Sequence, residues 1–262
     1  RQKPPLVTTD PTSAEMIKYA SNAFLATKIS FANEIAGLCE RVGADVVEVT
    51  RGMGLDSRIG PRFLGAGLGW GGSCFPKDTA ALLALAGEYG YAMPITQAAR
   101  EVNAQQRRIA VEKLQEALKV LRGRTIGVLG LAFKPGTDDI RESAAIEIIR
   151  LLAERGAHVK AHDPVAVENA RRVLADIEVE FVDDPYELAQ GCDGIVLATE
   201  WDIYRALDLA KLAASMRLPV LVDGRNVYDP EEARKAGFTY LGIGRPVTVR
   251  FLGKETTSAL VS

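Results

Sequence analysis

Thr125-Ile126-Gly127-Val128-Leu129-Gly130-Leu131 is a short β-rich run that closes on a glycine. Behind it, Ser143–Arg155 has the apolar spacing of a helix. The same alternation continues to the C-terminus. Val159–His162, Val179–Val182, Gly194–Thr199, Val220–Asp223 and Tyr240–Gly242 read as strands. Val165–Leu174, Pro185–Gln190, Leu207–Met216 and Pro230–Ala236 read as the helices between them. Strand and helix in turn predict a parallel sheet with helices on both faces. On the N-terminal side the period is helical throughout. Thr12 or Ser13 is placed to cap a helix running through Ile17, Phe24, Ile35 and Leu38 to a stop at Gly43. Ala44–Arg51 and Lys77–Glu88 follow, and Pro94 opens a helix to Leu121, a rod of roughly 40 Å. Its stripe of Val102, Ile109, Leu114, Leu118 and Leu121 is longer than one small domain covers, so it is expected to carry a dimer interface.

The fold class is therefore α/β. Residues 1–94 form an all-helical domain, 95–122 a long connecting helix, 123–250 a Rossmann-like parallel domain, and 251–262 a polar, loosely ordered tail. The 262 residues carry 32 Lys+Arg against 34 Asp+Glu, a net charge of −2, which argues against a nucleic-acid partner or an anionic membrane surface. No apolar run approaches the roughly 20 residues of a membrane helix. Three scattered cysteines and two histidines give neither a disulfide framework nor a metal cluster, and a reducing cytoplasm suits them.

The chemistry concentrates in Phe63-Leu64-Gly65-Ala66-Gly67-Leu68-Gly69-Trp70-Gly71-Gly72-Ser73-Cys74-Phe75-Pro76-Lys77-Asp78. Gly67, Gly69 and Gly72 fit G-x-G-x-x-G, but no strand precedes them, so a dinucleotide turn is rejected. The glycines instead allow close backbone approach to a ligand, with N–H groups free to point inward. Cys74 precedes a helix starting near Pro76, and the helix N-terminus and Lys77 both favour a thiolate, with Asp78 in reach. A buried thiol in a tight turn is the plainer alternative. Lys18 and Asn22, at i and i+4, share one helix face, either as site residues or as a surface pair. The loop after the first strand carries Lys134 and Arg141, suited to phosphates, where open α/β sheets bind ligands. Asp163, after the second strand, reads as a helix cap.

Gly71–Asp78 resembles the catalytic segment of the UDP-glucose/GDP-mannose dehydrogenase family. Ser13–Ala26, Gly130–Ser143 and Asp223-Gly224-Arg225-Asn226 resemble it too, in the family's order. Phe75 and Lys134 lean to its UDP-glucose branch. The resemblance covers the family's helical central and UDP-binding C-terminal domains. It implies that an N-terminal NAD-binding Rossmann domain is absent here, that the sequence begins inside a longer chain, and that these residues alone are inactive. It also implies NAD-dependent two-step oxidation of UDP-glucose to UDP-glucuronate. Cys74 would be the nucleophile, forming a thiohemiacetal and then a thioester. Lys18 would stabilise the alkoxide, Asn22 would hold a water or the same oxygen, and Asp78 would assist proton transfer. Phe63, Leu64, Gly65, Ala66, Gly67 and Gly71 would line the sugar and uracil site. Phe133, Lys134 and Arg225 would also meet the substrate, and Arg58 would reach it across a homodimer. Lys77 and Arg141 would contact NAD; no metal is implied. A GDP-mannose enzyme, a non-catalytic nucleotide-sugar binding or dimerisation module, and an NAD dehydrogenase using the C-terminal sheet are the alternatives.

Overall fold

The computed structural model describes residues 6–246, together with the backbone of 250–251 and 254–255. The chain opens with α1 (Pro11–Val42), whose cap is Asp10 rather than Thr12 or Ser13. The Asp10 carboxylate accepts from the Ser13 N–H at 2.9 Å, and Pro11 fits the first helical turn, where no donor is needed. Gly43, at φ 79°, ends the helix as expected. Next come α2 (Val46–Gly54), α3 (Phe75–Glu88) and α4 (Pro94–Leu118). Asp45 caps α2 and shifts it two residues beyond the expected start at Ala44. The α3 helix begins at Phe75, not Lys77. The long helix stops at Leu118 because Lys119 turns to φ 65°, so Leu121 is buried outside it.

The second half holds β1 (Thr125–Leu129), α5 (Ala144–Glu154), β2 (His158–His162), α6 (Val167–Val173), β3 (Val179–Phe181) and α7 (Pro185–Ala189). It continues with β4 (Gly194–Leu197), α8 (Asp202–Arg205), α9 (Leu209–Ser215), β5 (Val220–Asp223), α10 (Pro230–Lys235) and β6 (Thr239–Gly242). The six strands are all parallel, in the order β3-β2-β1-β4-β5-β6. The crevice of such a doubly wound sheet lies where the order reverses, between β1 and β4, at the strands' carboxyl ends. The single-turn α8 has no counterpart among the sequence expectations; four residues are too few for a period to show. Arg250–Phe251 (β7) pairs antiparallel with Lys254–Glu255 (β8). Apart from those backbones, the tail expected over 251–262 lies outside the described residues.

One core cluster runs without a break from α1 (Ala32, Ala36, Cys39) through α4 (Ala110, Val111, Leu114, Leu118) to β1 and α5 (Ile126, Val128, Ile148, Leu152). A second, with Leu188, Ile195, Tyr204, Leu212 and Phe238, fills the other face of the sheet. Alanines and Ser30 on α1 let it lie close along α4. This overturns the reason given for dimerisation through α4: Leu114 and Leu118 are buried by α4's own neighbours. The uncovered stripe is on α1 instead, where Ile17, Phe24, Phe31 and Leu38, seven residues apart, stand 44–64% exposed. Among the described residues no helix is long and apolar enough to cross a membrane.

Candidate active site

Asp78 is the fixed point of the site. Its side chain is fully buried in the first turn of α3 and receives three partners. Lys77 Nζ donates to Oδ1 at 2.6 Å, Asn22 Nδ2 donates to Oδ2 at 2.6 Å, and Lys18 Nζ lies 3.7 Å from Oδ2. The Lys77 bond, reinforced by Asn22 and Lys18, holds the carboxyl below its ordinary range against the opposing effect of burial. The same contact pushes the Lys77 ammonium up. Asp78 is thus a carboxylate at neutral pH. Cys74 sits one turn away as the N-cap of α3, its carbonyl accepting from the Asp78 N–H at 2.8 Å. Its thiol is exposed, which removes the buried-thiol alternative.

The glycine-rich segment before Cys74 is a strap between the helical half and the carboxyl edge of the sheet. The Gly67 N–H donates to Asn33 Oδ1 at 2.8 Å, Leu68 N–H to the Gly224 carbonyl at 3.1 Å, and Trp70 N–H to Asn103 Oδ1 at 2.7 Å. Gly72 N–H donates to the Arg141 carbonyl at 2.9 Å. Four N–H groups expected to be free for a ligand are therefore taken by the protein. The glycines serve close backbone approach: a Cβ at Gly67 would fall 2.5 Å from the Gly224 carbonyl oxygen, and one at Gly71 would strike that of Glu142. Gly72, at φ 82°, presses on the Phe133 ring.

Arg225 joins both halves. Its Nη1 donates to the Gly69 carbonyl at 3.1 Å and its Nε to Ala198 at 2.8 Å, with Glu200 Oε2 3.4 Å away. Burial pulls this guanidinium down, opposed by Glu200. Leu64 and Ala66 are buried in the strap, Gly65 is exposed, and Phe63, at φ 63°, is half exposed with its ring 6.2 Å from that of Phe75. Phe133 lies under Gly72, and Lys134 Nζ sits 5.4 Å from the Phe133 ring. Arg141 is exposed and bonds Asp139 in its own loop at 2.7–3.2 Å. Arg58 is the residue not brought in: its guanidinium is bonded to Asp56 in the loop after α2. Asp163 does more than cap. Its carboxylate takes the N–H groups of Val165 and Ala166 and also those of Leu131, Ala132 and the Trp201 indole. With five donors on it, it has no place left for a ribose, so the end of β2 does not fit NAD.

Asn33, Asn103 and Arg107 are absent from the sequence-derived site. Asn103 grips Trp70 on both backbone groups, its Nδ2 donating to the carbonyl at 3.0 Å. Arg107 binds Glu147 and the carbonyl of Glu142. Their signal was a polar residue inside a buried helix face; Asn103 stands beside Val102 in the stripe of α4.

A cysteine-bearing helical domain seated on the carboxyl edge of a doubly wound sheet defines the class. The sequence matches the central domain of the UDP-glucose/GDP-mannose dehydrogenase family over residues 12–105 and that family's UDP binding domain over residues 127–230. The chain belongs to this family of dehydrogenases. It is 50% identical over 242 residues to a UDP-glucose 6-dehydrogenase of Bacillus subtilis (strain 168), covering 92% of this chain and 52% of that protein. Among solved structures, a UDP-glucose dehydrogenase of the archaeon Pyrobaculum islandicum superposes with a TM-score of 0.85 at 49% identity, covering 93% of this chain and 54% of the other. A GDP-mannose dehydrogenase from Pseudomonas aeruginosa gives a TM-score of 0.56 at 28% identity, covering 88% and 53%. The chain spans about half the length of the curated relatives it matches.

Proposed function

We propose that these residues form the substrate-holding and nucleophilic part of a UDP-glucose 6-dehydrogenase, acting in the cytoplasm. The observation that carries the proposal is the exposed Cys74 thiol beside the Lys18–Asn22–Asp78 cluster, above the sheet's carboxyl edge. UDP would lie along the strap, with the sugar C6 toward Cys74. Phe63 to Gly67, Gly71, Phe133, Lys134 and Arg225 would form its walls. Once C6 is an aldehyde, the Cys74 thiolate adds to the carbonyl carbon, and Lys18 donates to the oxygen on which charge develops. The resulting thiohemiacetal would give up a hydride from C6, and its hydroxyl proton back to Lys18, to become a thioester, which water would cleave to the acid and a free thiol. Asn22 is turned toward Asp78 and with it fixes Lys18. The depressed Asp78 carboxyl makes an anchor for these groups and a poor proton donor at neutral pH.

NAD supplies the hydride acceptor in this reading. Lys77 and Arg141 fit its phosphates: both are exposed cations, Lys77 in the first turn of the helix that Cys74 caps and Arg141 joined to the strap by its carbonyl at Gly72. The strap's G-x-G-x-x-G is not led by a strand and the protein takes four of its N–H groups, so in this reading the remainder of the NAD site lies on residues other than the strap. The exposed α1 stripe is the face we assign to a homodimer, an arrangement in which Arg58 would reach the partner's substrate. Calorimetry of the 262-residue chain tests the substrate reading. UDP or UDP-glucose should release heat at millimolar concentration; silence to both sinks the reading, and a response to GDP alone transfers it to GDP-mannose.

A further inference from the structure

The helix that carries the exposed thiol is weakly started by its own sequence. The cap position of α3 holds Cys74, whose side chain makes no capping bond. A Ser, Thr, Asp or Asn there would accept from one of the free N–H groups of the first turn, whereas sulfur is a weak acceptor. The turn is held from outside instead. From α1, Asn22 bonds the Asp78 carboxylate. From α4, Arg100 Nη1 donates to the Pro76 carbonyl at 2.9 Å and to the Thr79 hydroxyl oxygen at 2.7 Å. Thr79 is 1% exposed, and its hydroxyl donates onward to the Phe75 carbonyl at 2.7 Å. One guanidinium therefore reaches the carbonyls of both residues that follow Cys74, Pro76 directly and Phe75 through the threonine.

We propose that Arg100 is a positioning residue for Cys74. It clamps the first turn of α3 onto α4 through Pro76 and Thr79, and so fixes where the thiol stands relative to Lys18 and Asp78. A charged donor suits the task, since its bonds are stronger than those of a neutral group. The clamp stands on geometry alone; its part in catalysis rests on the function proposed above.

Arg100→Met keeps most of the side chain's apolar stem and removes its donors. The Asp78 N–H, which closes the first turn on the Cys74 carbonyl at 2.8 Å, should then exchange roughly tenfold faster or more in the 262-residue chain. Core amides such as those of Leu114 and Val128 should keep their rates. Arg100→Lys retains a charged donor and should restore most of the protection. Unchanged exchange at Asp78 in folded Arg100→Met overturns the clamp. If that variant does not fold, Thr79→Val, which cuts the relay to Phe75, decides in the same way. In the active enzyme, Arg100→Met should lower kcat for acid formation by roughly tenfold to a hundredfold with KM for UDP-glucose unchanged, and Arg100→Lys should recover it. A loosened Asp78 amide with unaltered kcat, or a change confined to KM, overturns the positioning role. An unaltered enzyme that makes no acid from UDP-glucose would remove the functional reading, and the exchange rates would still decide the clamp.

Discussion

Cys74 gathers the most consequence of any single position. A serine there keeps the size of the side chain but is far less ionised at neutral pH. In the active enzyme, Cys74→Ser should lower acid formation by roughly a thousandfold or more while substrate binding persists. Mass spectrometry after incubation with UDP-glucose and NAD should find an adduct at residue 74 or a stalled reaction. Acid formation at the rate of the unaltered enzyme would show that the thiol takes no part. His162 makes a second prediction. It ends β2 with Nδ1 2.8 Å from the Tyr204 hydroxyl, and burial holds it below the ordinary histidine value of 6.5, opposed by the Asp183 carbonyl. Below about pH 6.5 the unfolded chain takes up a proton that folded His162 refuses. Stability should therefore be level above that pH and fall beneath it, by at most about 1.4 kcal/mol per pH unit, until the folded value is passed. Urea unfolding at pH 7.5 and 5.5 should show the difference, and His162→Gln should shrink it. An equal drop in the variant would assign it elsewhere.

At the scale of elements, α1 and α4 look alike in sequence, each with a long apolar stripe. What separates them is which stripe the rest of the chain covers, and that depends on how α5 and the sheet close over α4. Spacing alone had no access to it. The strands and most helices were legible because buried parallel strands and amphipathic helices leave different periods. Ends were less so: the stop at Leu118 comes from the conformation of Lys119, a residue with no sequence mark of a helix end. Of the site, Cys74, Lys18, Asn22 and Asp78 could be gathered from residue type and spacing together with the family resemblance, whereas Asn33 and Asn103 act from inside helix faces and show only as polar residues out of place. The uncovered α1 stripe spans roughly 32 Å from Ile17 to Leu38. Phe24, 64% exposed at its middle, is the position to test. Phe24→Glu should convert a dimer to a monomer in light scattering at tens of micromolar, with the helical circular dichroism unchanged. A monomer before substitution, or a dimer after it, would place the interface elsewhere.

Across the whole molecule, α4 belongs to both halves. Its inner face completes the α1 packing and then runs on into the core of the sheet, while the strap and the Ile243–Arg245 turn tie the same halves at two further places. Arg245 Nε bonds Asp45 at 3.0 Å, and the Gly244 carbonyl accepts from Val46 N–H at 2.8 Å. With a core shared in this way, the helical half has no apolar interior of its own to keep if the sheet is lost. Scanning calorimetry should record one cooperative transition for the 262 residues, its calorimetric and van't Hoff enthalpies equal. Two resolved peaks would mean that the seam is weaker than the core it joins.

The strap's attachments have a further consequence for the solvents this seam will tolerate. Asn33, Asn103 and Asn226 hold it through neutral amides, Gly224 and Arg141 through their backbone carbonyls, and the Arg225 guanidinium through the Gly69 carbonyl, with no attachment a charge-to-charge pair. Dissolved ions screen attraction between charges and leave such dipolar contacts nearly untouched. Brine that loosens the surface pairs Arg51–Glu48 and Arg150–Asp176 would leave the cysteine's approach in register, so, on the proposed function, ionic strength should act on the entry of a charged nucleotide and not on the shape of the strap.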